Sequence, residues 1–164
     1  MTRYDRFDSP LGPVIAIAGD EGLLHVDFVG ATYERAIAPD WIHDPGAPAI
    51  AACREQLREY FAGTRTGFDL PLAPRGSEFQ HRVWREIARV PYGETISYAE
   101  LAKRAGAPGQ ARAAGAATGR NPVSLAIPCH RIVGSDGSLT GYAGGLERKR
   151  GLLELEGVLQ RSLV

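Results

Sequence analysis

The sequence predicts an α+β protein: a small strand-rich N-terminal domain, residues 1–76, followed by a helical C-terminal domain with a helix-turn-helix, residues 77–164. Short apolar, β-branched runs crowd the first part, whereas segments with helical spacing fill the second. Between them "DLPLAPRGSEF" reads as a linker, which puts the boundary near Gly76.

"PVIAIAG" and "LLHVDFVG" are apolar and β-branched, and the turn-like "GDEG" between them predicts an antiparallel hairpin. "PDWIHDPGAP" is rich in proline and aspartate and reads as a surface connection. In "PAIAACREQLREYFAG", Ile50, Cys53, Leu57, Tyr60 and Phe61 recur at helical spacing between charged residues. Cys53 therefore belongs to the buried face of an amphipathic helix.

Ser77 is the expected N-cap of "EFQHRVWREIARV", which carries Phe79, Val83, Trp84 and Ile87 on one face. "PYGET" breaks that helix. Ser97 opens "YAELAKRAG", with Glu100 placed to complete a capping box. After an "APG" turn comes "QARAAGAATG", and two short helices across a glycine-containing turn have the shape of a helix-turn-helix. An ordinary helical hairpin has the same shape. A helix that reads base edges offers several long polar side chains, but residues 111–119 are almost all Ala and Gly, with Arg112 as the one long side chain. If this helix meets DNA, it reads almost no sequence. "GGLERKRGLLELEG" is the last expected helix.

Composition excludes several classes. No apolar run approaches a membrane span, and "MTRYDRFDSPLG" lacks the apolar core of an export signal. Two cysteines without a CxxC make no disulfide framework, so a reducing cytoplasm is expected. His25, His43, His81 and His130 lack metal-binding spacing, so neither metal nor cofactor is expected. The net charge of zero argues against nucleic acid, yet its distribution argues the other way. Residues 1–76 carry 7 basic and 11 acidic side chains, whereas 77–164 carry 12 and 8. Positions 101–135 hold no acid but do hold Lys103, Arg104, Arg112, Arg120 and Arg131, which suits either a solvated face or a phosphate-contacting one.

In "IPCHRIVG" Cys129 follows a stiffening proline and precedes a histidine and an arginine. Free cysteine is commonly a small buried hydrophobe. Against that, His130 supplies a base once the backbone bends, Arg131 supplies positive charge, and Glu156 could orient the imidazole as in a generalised triad. Local chemistry leaves both readings open.

"VPYGETISYAELAKRAGAPGQARAAGAATGR" followed by "NPVSLAIPCHRIVGSDGSLTGYAGGLERKRGLLELEG" resembles the catalytic domain of the O6-alkylguanine-DNA alkyltransferases, from about Phe79 to Gly157. "FDSPLG" resembles the opening strand of that family. The PCHR core, the upstream Asn-Pro and the downstream Gly-Tyr-x-Gly-Gly carry the resemblance through their order and spacing. It implies that Cys129 accepts the alkyl group, that His130 and Glu156 activate it, and that Tyr98 protonates the departing guanine. It further implies that Asn121 braces the active-site turn, that Arg112 enters the duplex where the damaged nucleotide has flipped out, and that Tyr142 and Gly144 line the base pocket. Lys103, Arg104 and Arg120 remain as phosphate contacts. Ala143 stands where some members carry a hydroxyl residue, and the N-terminal zinc ligands of some members have no counterparts.

The expected function is DNA repair by irreversible transfer of alkyl from O6-alkylguanine, with O4-alkylthymine a further candidate, to Cys129. The expected partner is double-stranded DNA bound without sequence preference by a monomer, and no membrane is involved. Two rivals stand beside this reading. A cysteine hydrolase using Cys129, His130 and Glu156 would form a thioester and turn over repeatedly. A damage-binding helix-turn-helix module would leave an inert cysteine.

Overall fold

The computed structural model describes residues 1–160, which gather into two compact units. The first is Met1–Arg75 with Pro122–Ala126; the second is Gly76–Asn121 with the chain from Ile127 onward.

Four strands make the sheet of the first unit: β1 (Arg3–Phe7), β2 (Val14–Ala18), β3 (Leu23–Phe28) and β4 (Ile42–His43), in the order β3-β2-β1-β4. The expected hairpin is β2–β3, antiparallel from Val14↔Phe28 to Ala18↔Leu23, with an irregularity at Ile17/Ala18. Every residue of β2 is buried, as a continuous apolar run in mid-sheet should be. Helix α1 (Pro48–Phe61) begins with proline at its first position and buries Ile50, Cys53, Leu57 and Tyr60. Burial pushes the Cys53 thiol up to about 12, so it stays protonated and inert.

The "PDWIHDPGAP" segment corrects the sequence reading. It is more than a connection, because it contains β4, which runs parallel to β1 with Arg3↔Ile42 and Tyr4↔His43 in register. Buried Asp5 fastens this edge by accepting from Arg54 Nη1 (3.0 Å) and meeting His43 Nε2 (2.8 Å). The outer edge of β3 is covered by bridges Leu23↔Leu72 and Val26↔Val123.

His25 on β3 is 3% exposed, and its Nε2 has no hydrogen-bond partner among the described residues. Burial, helped by the charge of Arg35, lowers its pKa from 6.5 to about 4. The unfolded chain takes up this proton below about pH 6.5 and the folded chain does not until about pH 4. Stability is therefore full above pH 6.5 and falls as pH drops from 6.5 to 4, by roughly 3 kcal/mol from this residue. Urea midpoints of the wild type should fall between pH 7.5 and 4.5, and His25→Leu should flatten the decline. An unchanged slope in that variant would assign the acid lability elsewhere.

The second unit is built from α2 (Glu78–Ala88), α3 (Tyr98–Arg104), α4 (Ala111–Gly119) and α5 (Leu146–Leu155), with a two-stranded parallel sheet of β5 (Ile96–Ser97) and β6 (Ile132–Val133). Ser77 caps α2 in a full capping box: its Oγ accepts from Gln80 N–H (3.1 Å), while Ser77 N–H donates to Gln80 Oε1 (2.9 Å). The box expected at Ser97 is only half present. Ser97 Oγ accepts from Glu100 N–H, but the Glu100 carboxylate turns to Arg104 Nε (3.0 Å), an opposite charge one turn away. Trp84 Nε1–H donates to the Ala117 carbonyl (2.9 Å), fixing α2 to α4. Helices α3 and α4 pack together across the turn at Gly106–Gly109, so the helix-turn-helix shape is real.

Candidate active site

Pro128 sets the entry to the site. With φ −80° and ψ 68° it centres a tight turn in which Cys129 N–H donates to the Ile127 carbonyl (2.8 Å). Asn121 Nδ2–H donates to the same carbonyl (2.7 Å), so the buried amide braces the segment just before Cys129. Cys129–Arg131 then form one 3-10 turn, the backbone bend that adjacent functional side chains require.

Cys129 is 6% exposed and His130 is fully buried. His130 Nε2 lies 2.7 Å from Glu156 Oε2. The same carboxylate accepts from Arg131 Nε (2.8 Å, to Oε1) and Nη2 (3.0 Å, to Oε2), with Gly93 N–H at 3.2 Å from Oε1. A carboxylate gripped this way accepts only, so Nε2 carries the imidazole proton and donates it. His130 Nδ1 then holds the lone pair, and among the described residues it has no hydrogen-bond partner. Burial lowers the His130 pKa, against the pull of Glu156 and with help from Arg131 and Lys149. The imidazole is therefore neutral at neutral pH, with a vacant basic nitrogen beside the thiol in sequence.

Arg131 directs its hydrogen bonds away from the thiol. Its guanidinium donates to Glu156 and, through Nη1, to the Val90 carbonyl (2.7 Å), so its hydrogen bonds serve the relay.

A cation that acts on Cys129 is Lys149, which sequence reading missed. It is fully buried, and Nζ donates to the carbonyls of Ile132 (2.6 Å), Thr140 (2.8 Å) and Gly141 (3.3 Å). Burial lowers its pKa to about 8, while the charge of Cys129 holds it up. By reciprocity, the ammonium favours the thiolate. A signal for it was present. Lys149 stands three residues before Leu152 and four before Leu153, the two buried leucines of α5.

Tyr98 donates its hydroxyl to the Thr140 carbonyl (3.1 Å) and lies with its ring centroid 5.8 Å from Lys149 Nζ. Burial raises its pKa, with the Cys129 charge adding, so it remains a phenol able to donate a proton. Thr140 thus joins Tyr98 and Lys149 at the start of the Gly-Tyr-x-Gly-Gly run. In that run the Gly145 N–H donates to the Tyr142 carbonyl (2.9 Å), and the Gly144 carbonyl accepts from Arg148 Nη1 (3.2 Å).

The structure brings Cys129, His130, Glu156, Asn121 and Tyr98 into one network of bonds and charges. Lys103, Arg104, Arg112 and Arg120 are exposed on α3, α4 and the end of α4. Arg104 is paired with Glu100, whereas Arg112 makes no hydrogen bond or ion pair with any described residue. No group of three or more His, Cys, Asp or Glu is placed to hold a metal among the described residues.

Residues 78–158 match the DNA-binding domain of 6-O-methylguanine DNA methyltransferase, and residues 2–74 match its ribonuclease-like domain. The chain is 47% identical over 156 residues to a methylated-DNA–protein-cysteine methyltransferase of Mycobacterium tuberculosis, covering 95% of this chain and 93% of that one. The protein of that name from Methanosarcina barkeri is 46% identical over 153 residues, covering 93% and 96%. The crystal structure of Mycobacterium tuberculosis OGT in complex with DNA superposes with a TM-score of 0.86 at 47% identity, over 94% of this chain and 92% of that one. The chain belongs to the 6-O-methylguanine DNA methyltransferase family.

Proposed function

We propose that this protein repairs O6-alkylguanine in DNA by moving the alkyl group onto Cys129, once per molecule. The observation that carries the residue assignment is the buried line His130–Glu156–Arg131 beside Cys129. His130 Nδ1 is the base that receives the thiol proton, passed across by solvent because no hydrogen bond joins it to the sulfur. Nε2–H, held on Glu156, stabilises the imidazolium that forms. Lys149 favours the thiolate. The sulfur attacks the alkyl carbon, the carbon–O6 bond breaks, and its electron pair passes to the purine. Tyr98 leaves the Thr140 carbonyl to protonate the departing guanine. The thioether is inert to water, so the protein is consumed.

DNA engages α3 and α4 without sequence preference, because Arg112 is the one long side chain of α4 and cannot specify a site alone. Lys103, Arg104 and Arg120 hold phosphates, and Tyr142 and Gly144 line the pocket for the flipped base. The protein acts as a monomer in a reducing cytoplasm, a reading supported by two free cysteines. No helix among the described residues is long and apolar enough to cross a membrane.

The test is intact mass followed by peptide mapping after mixing with O6-methylguanine duplex. One methyl per protein on the peptide holding Cys129, and none on that holding Cys53, is the expected result. Label on Cys53, or product exceeding protein molecules, overturns the mechanism.

A further inference from the structure

The chain reaches Cys129 through two successive three-residue turns. The second is the low-energy form centred on Pro128. The first is centred on Leu125, with Ala126 N–H donating to the Ser124 carbonyl (3.0 Å) and a central φ of +76°. A γ-turn of that hand is rare and strained, and Leu125 is the one non-glycine residue with positive φ among the described residues. It is also 1% exposed, between Val123 at 0% and Ile127 at 4%.

Such a conformation persists only where its surroundings over-determine it. Both flanks supply the constraint. Ahead of the turn, Val26 N–H donates to the Pro122 carbonyl (2.9 Å) and Ser124 N–H donates to the Val26 carbonyl (2.8 Å), tying the segment to β3. Behind it, the Ile127 carbonyl is held by both Asn121 Nδ2–H and Cys129 N–H. A glycine would make this turn without strain, yet the position carries a buried leucine.

We infer that Leu125 is a positioning residue for alkyl transfer: its strained γ-turn, closed two residues before Ile127, fixes the Ile127 carbonyl and through it the sulfur-bearing residue. This rests on the reading of Cys129 as the acceptor. A leucine held at φ +76° in such a γ-turn has almost no torsional room, whereas glycine roams on both sides of φ zero. A misplacement of 1 Å can cost about a hundredfold in rate, so a modest loosening near Cys129 is measurable.

Leu125→Gly and Leu125→Ala separate strain from positioning, because both remove nearly the same packing. Glycine relieves the positive φ and alanine does not. Leu125→Gly should have the higher urea midpoint yet react roughly tenfold more slowly than Leu125→Ala with free O6-methylguanine base. The same ratio should hold on saturating methylated duplex, since the effect lies after DNA binding. Leu125→Met, which keeps volume and side-chain bulk, should stay near wild type and guards against a fold-level failure of the smaller variants. A purely structural leucine predicts that rate follows stability, so glycine equal to or faster than alanine overturns the inference. Peptide mapping in each variant separates the two failures: methyl away from Cys129 defeats the acceptor reading, whereas methyl on Cys129 with rates ordered by stability defeats only the role of Leu125.

Discussion

Glu156→Gln should lose about 3–5 kcal/mol of folding stability together with measurable alkyl transfer. The carboxylate receives two bonds from Arg131, one from His130 and one from Gly93 N–H, all at a residue 6% exposed. A carboxamide has the same shape but one acceptor oxygen, and its NH2 would face donors that already point inward. The Arg131 charge would then be buried without compensation, the situation that makes removal of one member of an internal ion pair so costly. His130 would lose the acceptor that fixes its tautomer, and its vacant nitrogen would no longer be assured at Nδ1. Urea denaturation and single-turnover rates check the two effects. Arg131→Met combined with Glu156→Leu should recover much of the stability, since an apolar replacement of both partners can be neutral. It should recover none of the rate. A double variant that regains both would show that Glu156 serves the fold alone, and a fast Glu156→Gln would remove it from the relay.

Sequence reading went far where periodicity ran over several turns. Helix α1 shows its buried face at Ile50, Cys53, Leu57 and Tyr60, and the β2–β3 hairpin is an apolar pair around a turn. It failed where an element is too short to have a period. Strands β4, β5 and β6 are two residues each, and β5 pairs with β6 across 36 positions of sequence, so no local pattern marks them. The site divides along the same line. "PCHR" announces the reacting residues because they are contiguous, and Glu156 could be proposed as the carboxylate for His130. What Arg131 does with its charge was invisible, because a guanidinium beside a cysteine in sequence can turn to any acid the fold delivers. Lys149 was hidden by its neighbours. In "ERKR" it reads as one more surface cation, although its spacing to Leu152 and Leu153 places it inward. The strain at Leu125 leaves no trace in sequence, since a leucine among "SLAIP" predicts nothing about its φ.

Arg112→Ala should slow repair of methylated duplex by roughly 10–100-fold while leaving the reaction with free O6-methylguanine base near wild type. Arg112 is the second residue of α4, exposed, and without a hydrogen bond or ion pair to any described residue. Nothing in the fold therefore needs its guanidinium, and the rest of α4 is Ala, Gly and Thr, which allows a close approach to DNA. Moving a base out of the stack costs a few kcal/mol, and an arginine that fills the space recovers part of it. Recovery of about 1.4–2.7 kcal/mol gives the stated range. The free base has no stack to leave, so the relay at Cys129 should treat it normally. If Arg112 merely held a phosphate, the variant would bind duplex more weakly but react at the wild-type rate once DNA is saturating. The single-turnover rate at saturating duplex, set beside the free-base rate, separates these cases. Equal losses on both substrates would place Arg112 in the base pocket or the fold, against its exposed position, and would overturn the assignment.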